Sequence, residues 1–224
     1  MTTVGQVRQV VQPLLQRNPD LTLIGRLVVI KPVHHVLRAV YIERSSDPGA
    51  FIPIATAIFL FKPRKGISLH WGLRVYRGPV GSGTWDVGEP QTSASMCEAI
   101  EAQALPPLRS IKTIDDFVAF TSKDRFPDTF LYAYEDLKIY IDVARGDFDA
   151  ARSICEHMAT DRAKRTYLPD MQEEYDRITK ELCPLVAAND RPGLARLLHG
   201  YEAQSVKNLK IEKLWEPTPF PIES

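Results

Sequence analysis

Val4, Val7, Val10, Val11, Leu14 and Leu15 recur at intervals of three and four, the stripe of an amphipathic helix. Pro13 lies inside that stripe and brings no amide hydrogen, which predicts a kink or early stop near Gln12. Asn18-Pro19-Asp20 reads as the following turn. Four runs rich in β-branched and aromatic residues come next, at 21–31, 34–44, 51–61 and 67–77, and each predicts a strand. The breaks between them (Lys31-Pro32, 45–49 and 62–66) are too short for a crossover helix, so an antiparallel meander is expected. The fourth run alternates best. Ile67, Leu69, Trp71, Leu73 and Val75 point one way, and Ser68, His70, Gly72, Arg74 and Tyr76 the other, which predicts one covered face and one at least partly wet. The third run is apolar on both faces and should be central.

Loops at 78–84 and 88–90 close this part of the chain. Helical periodicity then takes over, at 92–105 up to Pro106-Pro107, from Thr113, and at 130–144, 148–159, 171–187, 192–198 and 202–214. Strands followed by helices give an α+β fold class: an N-terminal helix, a four-stranded antiparallel meander and a helical C-terminal half with two helical hairpins. The change of period suggests units at 1–90 and 91–224, packed together or folding separately. Residues 215–222 carry proline at alternate positions and are expected to be extended.

Tyr140-Ile-Asp-Val-Ala-Arg-Gly-Asp-Phe-Asp-Ala-Ala-Arg-Ser-Ile154 is similar to the turn of a tetratricopeptide repeat. Gly146-Asp147 stands where that family turns, and Ala151 where its second helix takes a small residue. Lys138 and Ile139 depart from the pattern. A comparable hairpin at 188–198 follows about 43 residues on, against ~34 in the family, and an array normally needs at least three repeats; two packed hairpins are therefore expected, not a solenoid. The segment Ile30-Lys-Pro-Val-His-His-Val-Leu-Arg-Ala-Val-Tyr-Ile-Glu-Arg-Ser-Ser46 resembles bacterial proteins of unknown function that pair a small antiparallel sheet with a helical tail. That resemblance implies the fold and brings no activity, cofactor or catalytic residue.

Composition changes this picture little. With 224 residues, 44% of them apolar and 25% charged, the chain is an ordinary globular one of one large or two small domains. The zero net charge conceals a division: up to Arg77 there are eleven Lys/Arg against three acids, and beyond it seventeen against twenty-five. Such asymmetry suggests either an anionic partner for the front part or attraction between the parts within one molecule. No apolar run is long enough to span a bilayer, and no signal peptide opens the chain. Cys97, Cys155 and Cys183 are odd in number and widely spaced, so buried free thiols, no disulfide and a reduced, cytoplasmic setting are expected.

The glycines of 78–83 are followed by no Lys-Ser/Thr and open no helix, so they form neither a Walker loop nor a dinucleotide fingerprint. No Gly-x-Ser-x-Gly, His-Glu-x-x-His or Cys-x-x-Cys pattern occurs, and neither metal nor cofactor is expected. His34 and His35 are neighbours on a predicted strand and point apart; His199 precedes Gly200 at an expected helix end. One constellation remains. If strands two and four share a polar face, His34, Arg38, His70, Arg74 and Tyr76 lie on it together, guanidinium and imidazole groups among aromatic edges that suit a carboxylate, a phosphate or an acidic protein loop. A one-residue slip would present His35 and Glu43 instead. Nucleic acid would need the same face, but no RNA-recognition consensus accompanies it. The expected function is a non-catalytic protein-interaction module, immunity-like or adaptor, binding a protein partner. The alternative is an enzyme or anion binder using the His/Arg/Tyr face.

Overall fold

The computed structural model describes residues 2–45, 47, 49–78, 81–161 and 169–224. Ser46 and Pro48 of the expected 45–49 turn, and Pro79 and Val80 of the expected 78–84 loop, lie outside the described residues. The fold is α+β, with an antiparallel sheet of six strands followed by helices. Two compact units are present. One comprises Met1–Phe59, Gly66–Thr121 and Ile211–Glu216; the other comprises Leu60–Lys65, Ser122–Lys210 and Pro217–Ser224. The strands end near position 90 as the pattern suggests, but the compact units divide elsewhere, because the helices of 92–120 belong with the sheet.

In the first unit, helix α1 (Val4–Arg17) starts at a capping box: the Thr3 side chain accepts from the Gln6 amide (3.2 Å), and Gln6 Oε1 accepts from the Thr3 amide (2.8 Å). The helix runs through Pro13 without stopping, so of the kink or early stop expected near Gln12 the stop does not occur. A proline inside a helix costs about 3 kcal/mol. Val7, Val10, Val11 and Leu14, buried on either side of it, each contribute about 1.5–3 kcal/mol and outweigh that cost.

The first expected strand is in fact a hairpin of β1 (Leu21–Ile24) and β2 (Leu27–Ile30), with Ile24 opposite Leu27. Gly25, at φ +59°, opens its two-residue loop, the position where a type II′ turn requires glycine. Strand β3 (Val36–Arg44) pairs along nine residues with β4 (Ala50–Phe59), and all ten residues of β4 are buried. On the other edge of β4 lie β5 (Leu73–Arg74) and β6 (Trp85–Asp86), each of two residues. The sheet order is β1-β2-β3-β4-β5, with β6 also on β4.

The fourth expected strand thus shrinks to β5. Residues 67–72 instead run over β4: Thr56 Oγ1 donates to the Ser68 carbonyl (3.4 Å), and a Cβ on Gly72 would lie 2.8 Å from Ile54 Cγ2. Only glycine allows that approach. Trp71 of that segment and Phe59 of β4 meet in an aromatic cluster, where Phe117 stacks edge-on against Phe59 (5.7 Å) and Trp71 (5.3 Å). Phe117 belongs to α4 (Ile114–Phe120), capped by Thr113 and Asp116.

Helix α2 (Thr92–Ala99) does not end at Pro106-Pro107. A π-helical turn, Ile100–Ala104, brings the Leu105 amide onto the Ile100 carbonyl, and α3 (Leu105–Ser110) follows. The two prolines then occupy the start of a new helix, where their missing amide hydrogens cost nothing.

The second unit is helical. Helix α5 (Glu135–Arg145) ends at Gly146, which takes φ +79° and directs its amide to Asp142 and Val143. Helix α6 (Phe148–Asp161) returns from it, with Ala151 fully buried, so the first helical hairpin forms where expected. Helix α7 (Pro169–Arg177), a π-helical turn (Ile178–Leu182) and α8 (Cys183–Ala187) repeat the device seen before α3: the Cys183 amide reaches back to Ile178, and Pro184 opens the new helix. Helix α9 (Arg191–Leu209), capped by Asp190, completes the second hairpin. It is one helix of 19 residues, not two; Gly200 is open to solvent and does not break it. The C-terminal segment is extended as far as Phe220 (φ −76°, ψ 153°), as expected, and packs back on its unit. Phe220 and Ile222 are buried, and Phe220 stacks on Phe61 (5.3 Å).

Cys155 and Cys183 form a disulfide, which corrects the expectation of free thiols. The two lie 28 residues apart in the chain, a spacing that carries no signal until α6 and α8 are known to pack together. Cys97 alone behaves as expected, a buried thiol whose pKa burial raises.

A polar cluster fastens α1 and its turn to the π turn and α3. Arg17 donates to Glu101 through Nε (3.0 Å) and Nη2 (2.9 Å), and Asn18 Nδ2 adds a third bond (2.7 Å). Arg109 grips Asp20 through Nε (2.9 Å) and Nη2 (2.8 Å). The Arg17 hydrogen bonds hold the Glu101 carboxyl below its ordinary 4.5. At Asp20 burial opposes the charge, but the Arg109 bonds prevail and set the carboxyl below 3.8. Both folded values are depressed, so their contribution is complete above the unfolded values and is lost as pH falls through the folded ones. Urea unfolding of the full chain is expected to show stability falling below about pH 4.5, and Asp20→Asn with Glu101→Gln to flatten that acid limb.

Candidate functional site

The register divides the five residues that the sequence placed on one face. Arg38 pairs with Ala57, which shares its face with Ala55 and hence with Leu73; Arg74 pairs with Ile54 on the other face. Arg38 is 6% exposed, and its guanidinium donates to the carbonyls of Pro32 (2.7 Å) and Ile111 (3.1 Å). It therefore holds the chain together, as does Arg26, which donates to Ile42, to the Thr2 carbonyl and to the Thr2 hydroxyl. His34 lies before β3, and its Nδ1 is 2.8 Å from the Glu216 carbonyl. A carbonyl only accepts, so Nδ1 carries the hydrogen there. That bond stands beside a bridge in which Val33 pairs with Trp215. His70 sits outside the strands, edge-on to Trp71 at 4.9 Å.

Arg74 and Tyr76 do come together, and both are exposed. The Gln103 side chain treats Tyr76 as a neighbouring strand would: its Oε1 accepts from the Tyr76 amide (3.0 Å), and its Nε2 donates to the Tyr76 carbonyl (2.7 Å). The tyrosine backbone is thereby fixed while its side chain stays 46% exposed. Gly83 packs between the two side chains; a Cβ there would lie 3.4 Å from Tyr76 Cε1 and 3.6 Å from Arg74 Cδ. Next to them Arg77 lies over the Trp85 ring (5.0 Å) and is paired with Glu89. The result is an anchored aromatic edge with a guanidinium beside it, suited to contact with a carboxylate and an apolar group together.

In the helical unit, one face of α9 and residues 222–224 line a cleft of about 530 Å³. Arg191, lying over Phe148 (5.3 Å), and the exposed Arg196 supply its positive charge. His199 does not sit at a helix end. Its Nε2 is 2.9 Å from Glu223, Nδ1 is 3.9 Å from the buried Glu202 carboxylate, and its ring leans on Phe220 (4.7 Å). The sequence reading missed this cleft because its other wall, residues 222–224, comes from the C-terminal segment, which carries no signal of packing against α9.

The buried titratable groups of that unit are tied to one another. Glu174 accepts from Tyr140 (2.7 Å), lies 3.1 Å from Lys62, and is paired with Arg177. Burial, reinforced by Glu174, drives the Tyr140 phenol far above its ordinary value; burial and then the Glu181 hydrogen bond do the same for Tyr201. Burial lowers the Arg64 guanidinium to about 10. These phenols are donors in a fixed network, not bases. Among the described residues no group of three or more His, Cys, Asp or Glu is placed to hold a metal ion.

Gln103→Ala removes both bonds to Tyr76. At a net ~0.5–1.5 kcal/mol for a typical hydrogen bond, exchange of the Tyr76 amide is expected to rise about 2- to 10-fold in hydrogen-exchange mass spectrometry, with β4 unchanged.

Compared with protein-family models, with curated proteins and with solved structures, the chain finds no match.

Proposed function

We propose that the protein is a non-catalytic interaction module of the bacterial cytoplasm that docks a protein partner through Arg74 and Tyr76. The observation carrying this reading is the fixing of the Tyr76 backbone by Gln103 while its ring and the neighbouring Arg74 stay exposed. A rigid aromatic loses little conformational entropy on binding, and tyrosine and arginine are the residue types that dominate interface energetics. The partner that fits is an acidic protein loop carrying an apolar side chain. The helical hairpins α5–α6 and α8–α9, similar in their turns to tetratricopeptide units, support the same class of function. No helix among the described residues is long and apolar enough to cross a membrane.

The test is capture of partners from host lysate by the immobilised full chain and by its Arg74→Glu/Tyr76→Ala double variant, with quantitative mass spectrometry. The reading expects a protein recovered in stoichiometric amount by the chain and lost at least about tenfold from the variant, as removal of one hot spot of ~2 kcal/mol would give. Equal recovery by both, or no stoichiometric protein, contradicts it.

A second reading, binding of a small organic anion, is favoured by the Arg191–Arg196 cleft in place of the divided sheet face. Glu223 is already held by His199 and by the Phe220 amide (2.6 Å), so the arginines carry the local balance. Calorimetric titration with phenyl phosphate is expected to show binding that Arg196→Glu abolishes; absence of heat with the unmodified chain rejects it.

A further inference from the structure

The Cys155–Cys183 bond joins α6 to α8 and closes the chain around α7 and the π turn before α8. Both cysteines are half-buried, unlike Cys97, which is wholly enclosed.

What the bond encloses is a polar helix. In α7, Tyr175 is the one apolar side chain buried among the described residues. Its hold on the unit is otherwise polar: Tyr175 Oη donates to the Met158 carbonyl (2.7 Å), Glu174 is engaged with Tyr140 and Lys62, and Glu173 pairs with Lys65 (2.9 Å). Of these ties the Lys65–Glu173 pair is exposed and contributes little, while the largely buried Glu174 contacts hold the helix at a single side chain. The apolar anchors lie after the helix, at Ile178 and Leu182. Tying α6 to α8 restricts the open states of everything between them, so α7 is the element whose attachment depends most on the bond.

We propose that Cys155–Cys183 is a reversible redox latch that keeps α7 seated, opened by thiol–disulfide exchange with a dithiol reductant. One reductant thiolate attacks a sulfur of the bond and displaces the other as a thiolate; the reductant's second thiol then attacks the mixed disulfide. Two electrons and two protons pass to the chain, leaving Cys155 and Cys183 as thiols and the reductant as its own disulfide. The latch is independent of the Arg74–Tyr76 surface. In a reducing cytoplasm a disulfide is characteristically transient, and opening would release a polar helix while the apolar contacts of α5, α6, α8 and α9 remain.

Hydrogen-exchange mass spectrometry of the full chain, oxidised and after native reduction with dithiothreitol, tests this. Exchange across α7 is expected to rise about tenfold or more, with α5, α9 and the sheet unchanged, as for a local opening. The Cys155→Ser/Cys183→Ser variant should show the same without reductant, and thiol titration of the denatured oxidised chain should count one free thiol, Cys97. Unchanged exchange in α7, or loss of protection throughout the helical unit, overturns the proposal. So does a count of three thiols, or a bond that excess dithiothreitol leaves closed in the native chain. If the variant does not fold, exchange in the reduced unmodified chain decides between the same outcomes.

Discussion

Ten consecutive buried residues in β4 set the terms for the sheet unit. A strand buried on both faces must have its backbone paired along both edges and both rows of side chains covered. Strand β3 supplies one edge in full. The other is divided at Pro53. Its carbonyl accepts from Val75, so its nitrogen faces the same side and has no hydrogen to offer there. β5 pairs with Ile54 and Ala55, and β6 with Ala50 and Phe51; neither spans the proline. Residues 67–72 run over Ile54 and Thr56 of β4, and Phe59, on the alternate row of the strand, meets Trp71 and Phe117.

That requirement explains where the sequence was a sufficient guide and where it was not. The α1 stripe, the largely apolar β4 and the Gly146 turn depend on local pattern and stand where the pattern puts them. The fourth strand failed although its alternation was the cleanest, because covering β4 outweighed extending an edge: Ile67–Gly72 is worth more across the sheet than beside it. Pro106-Pro107 was misread as a helix end, whereas the run through Pro184 was read as one unbroken helix. A π turn ahead of each lets the chain continue, and nothing in a periodicity of 3.6 announces it. The Gly25 turn inside the first apolar run was visible as a lone glycine, whereas the Cys155–Cys183 pairing depends on tertiary packing.

The candidate site divides along the same line. Of the five residues grouped by sequence, Arg74 and Tyr76 meet at the surface, while Arg38 and His34 are engaged with backbone carbonyls. Pleat alternation told which residues shared a face within one run but not the register between runs. Part of the basic character of the first 77 residues is likewise taken up within the molecule. In the sheet unit Arg17 pairs with Glu101 and Arg77 with Glu89; in the helical unit Lys62 pairs with Asp136 and Glu174, and Lys65 with Glu173. The charge division along the sequence therefore does not by itself mark an anionic partner. Gln103, which fixes Tyr76, carried no signal at all.

Two-sided burial of β4 is tested most directly by placing a carboxylate on each face in turn, at the adjacent positions Ala57 and Ile58, both 1% exposed. An unpaired buried charge costs several kcal/mol, comparable to a small domain's whole stability. Circular dichroism and urea unfolding should find the sheet unit unfolded or severely destabilised in Ala57→Asp and in Ile58→Asp alike. A variant of either that unfolds at the urea concentration of the unmodified chain would show that its face of β4 is open to water, and would contradict the account.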